Sequence, residues 1–270
     1  MSENNWILRT FGRTGAVVGV IHLPPLPGSP LSSRTFEDVA ALALKEAAQY
    51  SDCGFDGVII ENHGDAPFEK DSVGPSTTAM MAVISSRMAQ EVSIPIGINI
   101  LRNASLDSLA AASASGAAFI RVNVLCGVTA TDQGLIEGRG AELLRERRNL
   151  GSAVAICADI DVKYGVPLYH AAIGDLARST FERGGADALI VSGKATGAPA
   201  NLEEVAEVKA AVPTAAVLVG SGVTAKTVRA TLQTADGVIV GSCCRANNRI
   251  DGPLAQGAMH DLIAAAESSR

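Results

Sequence analysis

Eight short apolar runs recur along the chain, each followed by a longer segment whose apolar residues return every three or four positions. The runs cover residues 16–22, 57–61, 96–101, 119–124, 153–159, 188–192, 216–219 and 238–241. Most are continuously apolar rather than alternating, as strands covered on both faces must be. Their ends fall roughly 30 residues apart, the length of one strand–helix unit. Between them, Thr35 with Asp38 predicts a capping box, and Phe36, Val39, Ala40, Ala43 and Ala47 then form one apolar stripe. Asn201 followed by Glu204 predicts a second helix start, and Ser76, Ser105 and Thr224 are further expected N-caps. The pattern predicts an α/β protein: a single-domain (β/α)8 barrel of parallel strands over residues 1–270, with 1–14 as a short N-terminal extension. A doubly wound open sheet is the structural alternative.

Composition supports a large core: 47% of the residues are apolar and 19% charged, which excludes disorder for the bulk of the chain. The 27 glycines and 11 prolines show no short period, so the chain is not collagen-like. Against 28 acidic residues stand 22 basic ones, a formal charge of −6 that argues against a nucleic-acid or anionic-membrane partner. The five cysteines (Cys53, Cys126, Cys157, Cys243, Cys244) include no C-x-x-C pair, and reduced, mostly buried thiols are expected. No stretch approaches the ~18–20 apolar residues of a membrane span, and residues 1–11 lack the apolar run of a signal peptide. The expected location is cytoplasmic. Alanine-rich helix faces would permit a homo-oligomer.

In a barrel, chemistry gathers where strands end and the loops to the helices begin. Polar residues concentrate there. His22 ends the first predicted strand, Glu61 and His63 lie at the end of the second, and Asn99 is on the third. Arg121 and Asn123 share one face of the fourth, Asp159 ends the fifth with Lys163 beyond it, and Ser192 and Lys194 end the sixth. The seventh strand runs into Gly220-Ser221-Gly222 and the eighth into Gly241-Ser242. Small residues at adjacent strand ends let backbone N–H groups approach an anion, and this pair of loops is a common phosphate site in barrels. Arg121 needs a carboxylate partner such as Asp159 or Glu61 if buried, and that pair could equally fill the barrel as a structural ion pair. Asp159 is the expected acid/base, with Lys163 as either an electrophilic clamp or a surface charge. Lys194 could form a Schiff base if desolvated. No cofactor is predicted, although His22, Glu61 and Asp159 could share a divalent metal. His170 and His260 fall on helical patterns as ordinary surface residues.

Several longer segments resemble the BtpA family, which includes the SgcQ-type proteins. They are Gly19-Val20-Ile21-His22-Leu23-Pro24-Pro25-Leu26-Pro27-Gly28, Asp56-Gly57-Val58-Ile59-Ile60-Glu61-Asn62, Val73-Gly74-Pro75 and Gly97-Ile98-Asn99-Ile100-Leu101-Arg102-Asn103. Phe119-Ile120-Arg121-Val122-Asn123, the loop from Gly134 to Gly140, Ala158-Asp159-Ile160-Asp161-Val162-Lys163, Ser192-Gly193 with Thr196-Gly197, Gly220-Ser221-Gly222 and Val240-Gly241-Ser242 continue the match. The resemblance implies a barrel with a site at its mouth. Tyr164 and Cys243-Cys244-Arg245 depart from the pattern, where a histidine and a lysine-bearing loop are expected.

The function expected from the residues is an enzyme of the sugar-phosphate isomerase or lyase class. It would abstract a proton beside the carbonyl of a small phosphorylated sugar or sugar acid, leading to isomerisation, epimerisation or carbon–carbon cleavage. In that expectation Asp159, Glu61 and Lys163 are catalytic. His22, Asn99, Arg121, Asn123, Ser192 and Lys194 bind substrate, and Gly220, Ser221, Gly222, Gly241 and Ser242 bind phosphate. The alternatives are a non-catalytic factor for photosystem I assembly or stabilisation, which the resemblance implies, and a nucleotide- or nucleoside-processing enzyme. The latter is disfavoured because no aromatic lies beside a strand end to stack a base.

Overall fold

The computed structural model describes residues 6–169 and 171–269, so His170 lies outside the described residues. Eight parallel strands close into a barrel: β1 (Ala16–His22), β2 (Gly57–Glu61), β3 (Ile96–Asn99), β4 (Phe119–Val122), β7 (Ala155–Asp159), β9 (Ala188–Val191), β10 (Ala216–Val219) and β11 (Gly237–Val240), which pairs back to β1. The strands are buried almost throughout, because the barrel covers one face and the helical ring the other. The helices are α1 (Trp6–Phe11), α2 (Phe36–Asp52), α3 (Pro75–Glu91), α4 (Ser105–Ser115), α5 (Gly140–Asn149), α6 (Ile173–Arg178), α7 (Leu202–Ala211), α8 (Val228–Leu232) and α9 (Gln256–Glu267).

Two N-caps fall where the sequence placed them. Thr35 and Asp38 form a reciprocal capping box at the start of α2, and the Asn201 side chain accepts the Glu203 N–H at 2.9 Å at the start of α7. Three do not. Gly74 caps α3 because Pro75 takes the first helical position, where its missing N–H costs nothing. Ala104 precedes α4 and Thr227 precedes α8, so Ser105 already lies inside its helix and Thr224 lies three residues before the cap.

The larger core lies between the strands and the helical ring, and a smaller one fills the barrel. The barrel end opposite the loops is closed by α1. Trp6 of that helix meets Phe11 and Phe119 edge-on at 5.4 and 5.5 Å between ring centres. Trp6 and Ile7 of the N-terminal extension are therefore part of the core. On the outer face, Gly19 lies under the Tyr50 ring, and a Cβ there would come within 2.6 Å of it. That close approach lets the Tyr50 hydroxyl donate to the Val20 carbonyl at 3.1 Å.

The sequence pattern did not anticipate a second sheet. Strands β5 (Val128–Thr131) and β6 (Gly134–Glu137), after β4, form an antiparallel hairpin, and β8 (Gly165–Pro167), after β7, adds to its other edge. Among the described residues no helix is long and apolar enough to cross a membrane. The five cysteines are all free thiols, three of them buried.

Candidate active site at the barrel mouth

Strand register assembles the site. His22, Glu61 and Asn99 are lateral partners across β1, β2 and β3, so their side chains leave the barrel wall at one level. The Asn99 amide donates to Glu61 Oε1 at 2.9 Å, and His22 Nε2 lies 3.9 Å from Glu61 Oε2. From β4, Arg121 reaches both carboxylates: its Nη1 is 3.5 Å from Glu61 Oε1, and its Nε and Nη2 donate to Asp159 at 3.0 and 2.8 Å. Asn123 Nδ2 and the Ser192 hydroxyl donate to the same Asp159 carboxylate at 3.1 and 3.2 Å.

Asp159 thus accepts four hydrogen bonds, and its side chain has no exposed surface. It stands behind Arg121. Glu61, in contrast, lines an open recess together with His22, Arg121, Lys163, Thr196 and Gly197. The other wall of that recess is the loop 220–223 after β10 and the loop 241–243 after β11. The free volume open to the centre of a water-sized sphere is about 40 Å³.

Electrostatics separate the groups that share this recess. Burial opposes ionisation of Glu61, but Arg121, His22, Lys163 and the Asn99 amide outweigh it and bring the carboxyl down to about 2. Burial pushes His22 down to about 3 despite the neighbouring Glu61 carboxylate, so the imidazole is neutral at pH 7 and its 3.9 Å contact is not an ion pair. Lys163 is lowered to about 8, first by burial and then by the Arg121 guanidinium. Burial alone would lower Arg121, yet the Asp159 and Glu61 carboxylates raise it above its ordinary value.

The loop backbones supply donors. Among the described residues the N–H groups of Gly222, Val223 and Ser242 have no acceptor, although all three residues line the recess. Such amides at converging turns form an anion-binding concavity. Glycine serves two different ends here. A Cβ at Gly241 would come within 2.8 Å of the His22 ring, which is a close approach to the site. At Gly222, φ is +70° and a Cβ would collide with the backbone of Ala198 and Pro199, so this glycine is required by loop packing rather than by open space for a ligand. Bulk at Gly222 is therefore no selective block of the site.

Other expected binders have their polar atoms engaged in the fold or lie outside the recess. Ser221 spends its hydroxyl between the Gly193 N–H, at 2.6 Å, and the Ala198 carbonyl, at 3.0 Å, and so ties the loop after β10 to that after β9. Asn123 and Ser192 brace Asp159 and do not line the recess, and Asn99 braces Glu61. Lys194 is exposed and away from the recess, without the desolvation a Schiff base would require. His260 lies on α9, with Nε2 3.8 Å from Cys53 Sγ. Among the described residues no three His, Cys, Asp or Glu side chains gather as ligands for one metal ion. Both Asp159 oxygens turn towards Arg121.

Two features had no sequence signal strong enough to find them. Arg245, after β11, is buried and pairs with Glu46 of α2 through Nη1 at 2.8 Å and Nη2 at 2.6 Å, a contact across 199 residues of chain. Cys243 lines the recess with its Sγ 3.9 Å from that of Cys244, whose hydrogen bond holds the Cys243 thiol below its ordinary range.

Comparison with known proteins agrees with this architecture. The Schiff base-forming fructose-1,6-bisphosphate aldolase aligns with a TM-score of 0.58 at 16% identity, covering 98% of each chain. N-(5'-phosphoribosyl)anthranilate isomerase from Pyrococcus furiosus aligns at 0.57 and 12%, covering 94% of this chain and 99% of that one. At these identities the likeness is one of fold. In sequence, the photosystem I biogenesis protein BtpA of Synechocystis is 44% identical over 245 residues, 91% of this chain and 85% of its own length. An uncharacterized protein of Pyrococcus furiosus is 42% identical over 238 residues, 88% of this chain and 89% of its own. The BtpA family model matches residues 13–268, and the chain belongs to the BtpA family.

Proposed function

We propose that the barrel mouth is the active site of an enzyme acting on a small phosphorylated sugar or sugar acid, drawing a proton from the carbon beside its carbonyl. One observation carries this reading. Three amide N–H groups without acceptors share a single recess with an ionised carboxylate and two cations. The amides suit a phosphate group, while Glu61, Arg121 and Lys163 suit the reacting end of the same molecule.

Within this reading Glu61 accepts the proton, because it is ionised and lines the recess. Lys163 faces the carbonyl, and Arg121 holds a neighbouring oxygen while Asp159, Asn123 and Ser192 fix its orientation. The acid/base role first expected of Asp159 passes to Glu61, since Asp159 lies behind Arg121 with no exposed side-chain surface. Removal of an α-proton leads to isomerisation, epimerisation or carbon–carbon cleavage according to what the substrate carries. A cytoplasmic setting suits such substrates.

A second reading, a non-catalytic factor for photosystem I, is favoured by the name of the Synechocystis relative. Nearly the same identity to the Pyrococcus furiosus protein weakens the tie to that one role.

A thermal-shift screen against sugar phosphates tests the proposal. A ligand at 100 times its Kd should stabilise the fold by about 2.7 kcal/mol and raise Tm by about 5 °C or more. Ser242→Asp, which places a carboxylate beside the free amides, should abolish the shift and leave the circular dichroism unchanged. If no phosphorylated sugar moves Tm, the enzymatic reading fails and the assembly-factor reading takes its place.

A further inference from the structure

We infer that Lys163 forms a covalent imine with the carbonyl carbon of a phosphorylated ketose or 2-keto acid seated in the mouth recess, an inference that rests on the recess being a sugar-phosphate site. The position of the ammonium carries it. Both carboxylates at the mouth are committed elsewhere, Asp159 to a two-bond pair with Arg121 and Glu61 to Arg121 Nη1 and the Asn99 amide. Lys163 is left facing the recess with no ion pair and no hydrogen bond to its amine among the described residues. A second guanidinium, from Arg102, bonds the Lys163 carbonyl at 2.5 Å. Burial first, and then the charges of Arg121 and Arg102, favour the neutral, nucleophilic form of the amine over the opposing pull of Glu61 and Asp159.

The backbone around Lys163 is fixed as well. Its carbonyl is held by Arg102, the Tyr164 N–H donates to the Lys194 carbonyl at 3.3 Å, and β8 begins at Gly165. The nucleophile therefore stands on a braced segment, at the wall facing the loops with free amides. A ligand whose phosphate occupies those amides would present its carbonyl towards the Lys163–Glu61 side. The lowering of Lys163 to about 8 agrees with this assignment. At pH 7 such an amine is unprotonated far more often than an ordinary lysine.

The step balances without an oxidant or a second substrate. The amine lone pair attacks the carbonyl carbon, the carbonyl π pair moves to oxygen, and that oxygen takes up a proton. The carbinolamine then expels water as the nitrogen lone pair forms C=N. In sum, one amine, one carbonyl and one proton give one protonated imine and one water. The cationic imine then accepts the electron pair left when Glu61 removes the α-proton, which gives an enamine.

Borohydride trapping tests the inference. The full chain is incubated with dihydroxyacetone phosphate, reduced with sodium borohydride, digested and analysed by mass spectrometry, with Tm of the unreduced mixture measured alongside. The expected result is an adduct on Lys163 about tenfold or more above that on an exposed lysine such as Lys194, increasing between about pH 7 and 9. The adduct should vanish in Lys163→Arg and be suppressed by inorganic phosphate. A Tm shift with no adduct on Lys163 overturns the imine and leaves the sugar-phosphate site standing. Neither shift nor adduct overturns both. An adduct that inorganic phosphate leaves untouched overturns the assignment of a phosphorylated ligand to this recess.

Discussion

Arg121 grips Asp159 through two parallel hydrogen bonds, Nε to Oδ2 at 3.0 Å and Nη2 to Oδ1 at 2.8 Å, with both residues buried. Such a fork fixes the plane of the guanidinium as well as its charge. Asp159 therefore decides where Arg121 points. Replacing it by asparagine leaves a buried guanidinium with only the more distant Glu61 for charge compensation, and loss of one partner of a buried pair costs about 3–5 kcal/mol. Asp159→Asn should show a lower urea midpoint together with weaker sugar-phosphate binding. A variant with the parent's midpoint and a purely kinetic defect would return Asp159 to the chemistry itself.

Glu61→Gln should behave differently. Glutamine keeps an oxygen for the Asn99 amide but cannot take up a proton. General base catalysis supplies about 10²–10⁴ in rate, so kcat should fall by about that factor while the thermal shift with a sugar phosphate persists. Unchanged turnover in this variant would remove Glu61 from the reaction.

At Gly222 the expected damage is to the fold. A methyl group there meets the Pro199 backbone, and φ of +70° is unfavourable for alanine. Gly222→Ala should lower Tm in the absence of any ligand, whereas Ser242→Asp should lower only the ligand-induced shift. Equal ligand-free Tm values for Gly222→Ala and the parent would show that the loop relaxes freely.

Stability should fall on acidification in two overlapping windows. His22 is lowered from 6.5 to about 3 and Glu61 from 4.5 to about 2, so in both cases the unfolded chain binds protons that the folded chain refuses. Stability then rises with pH wherever that difference holds. The His22 contribution is full above 6.5 and lost as pH falls towards 3; that of Glu61 is full above 4.5 and lost towards 2. Urea midpoints measured down this range should show a flatter slope for His22→Gln between about pH 6 and 4. An identical slope in the variant would place the acid sensitivity elsewhere.

The barrel was legible because strands covered on both faces announce themselves as apolar runs, and 16–22, 57–61 and 216–219 match the observed strands residue for residue. Four strands stop before their apolar runs end, and β3 and β4, which stop two residues early, do so for a local reason. The Leu101 N–H is taken by Asn62 Oδ1 and the Val124 N–H by Asn103 Oδ1, both at 2.8 Å, which draws those residues out of the ladder. A hydropathy pattern carries no trace of such captures. At the site, residue type identified the charged groups but not their order in depth. Asp159 and Glu61 both end strands and both suit Arg121, and only the register and rotamers put one behind the guanidinium and the other in front of it. The sheet of β5, β6 and β8 was missed because Gly127, Gly134 and Gly138 punctuate that segment as a loop, and its strands are three or four residues long.

That small sheet couples two loops that a simple barrel would leave independent. β8 starts two residues beyond Lys163, and its pairing partner β5 departs from the end of β4, the strand that carries Arg121. The two cations of the mouth are thus joined by a brace lying outside the barrel wall. Ladder bonds between Thr129 to Thr131 and Gly165 to Pro167 hold the spacing between them, much as a tie-rod holds two posts. Drift along the family in the length or pairing of this hairpin would retune the distance between the amine and the guanidinium while every barrel strand stayed the same. The shape of the recess would then change through residues that do not line it.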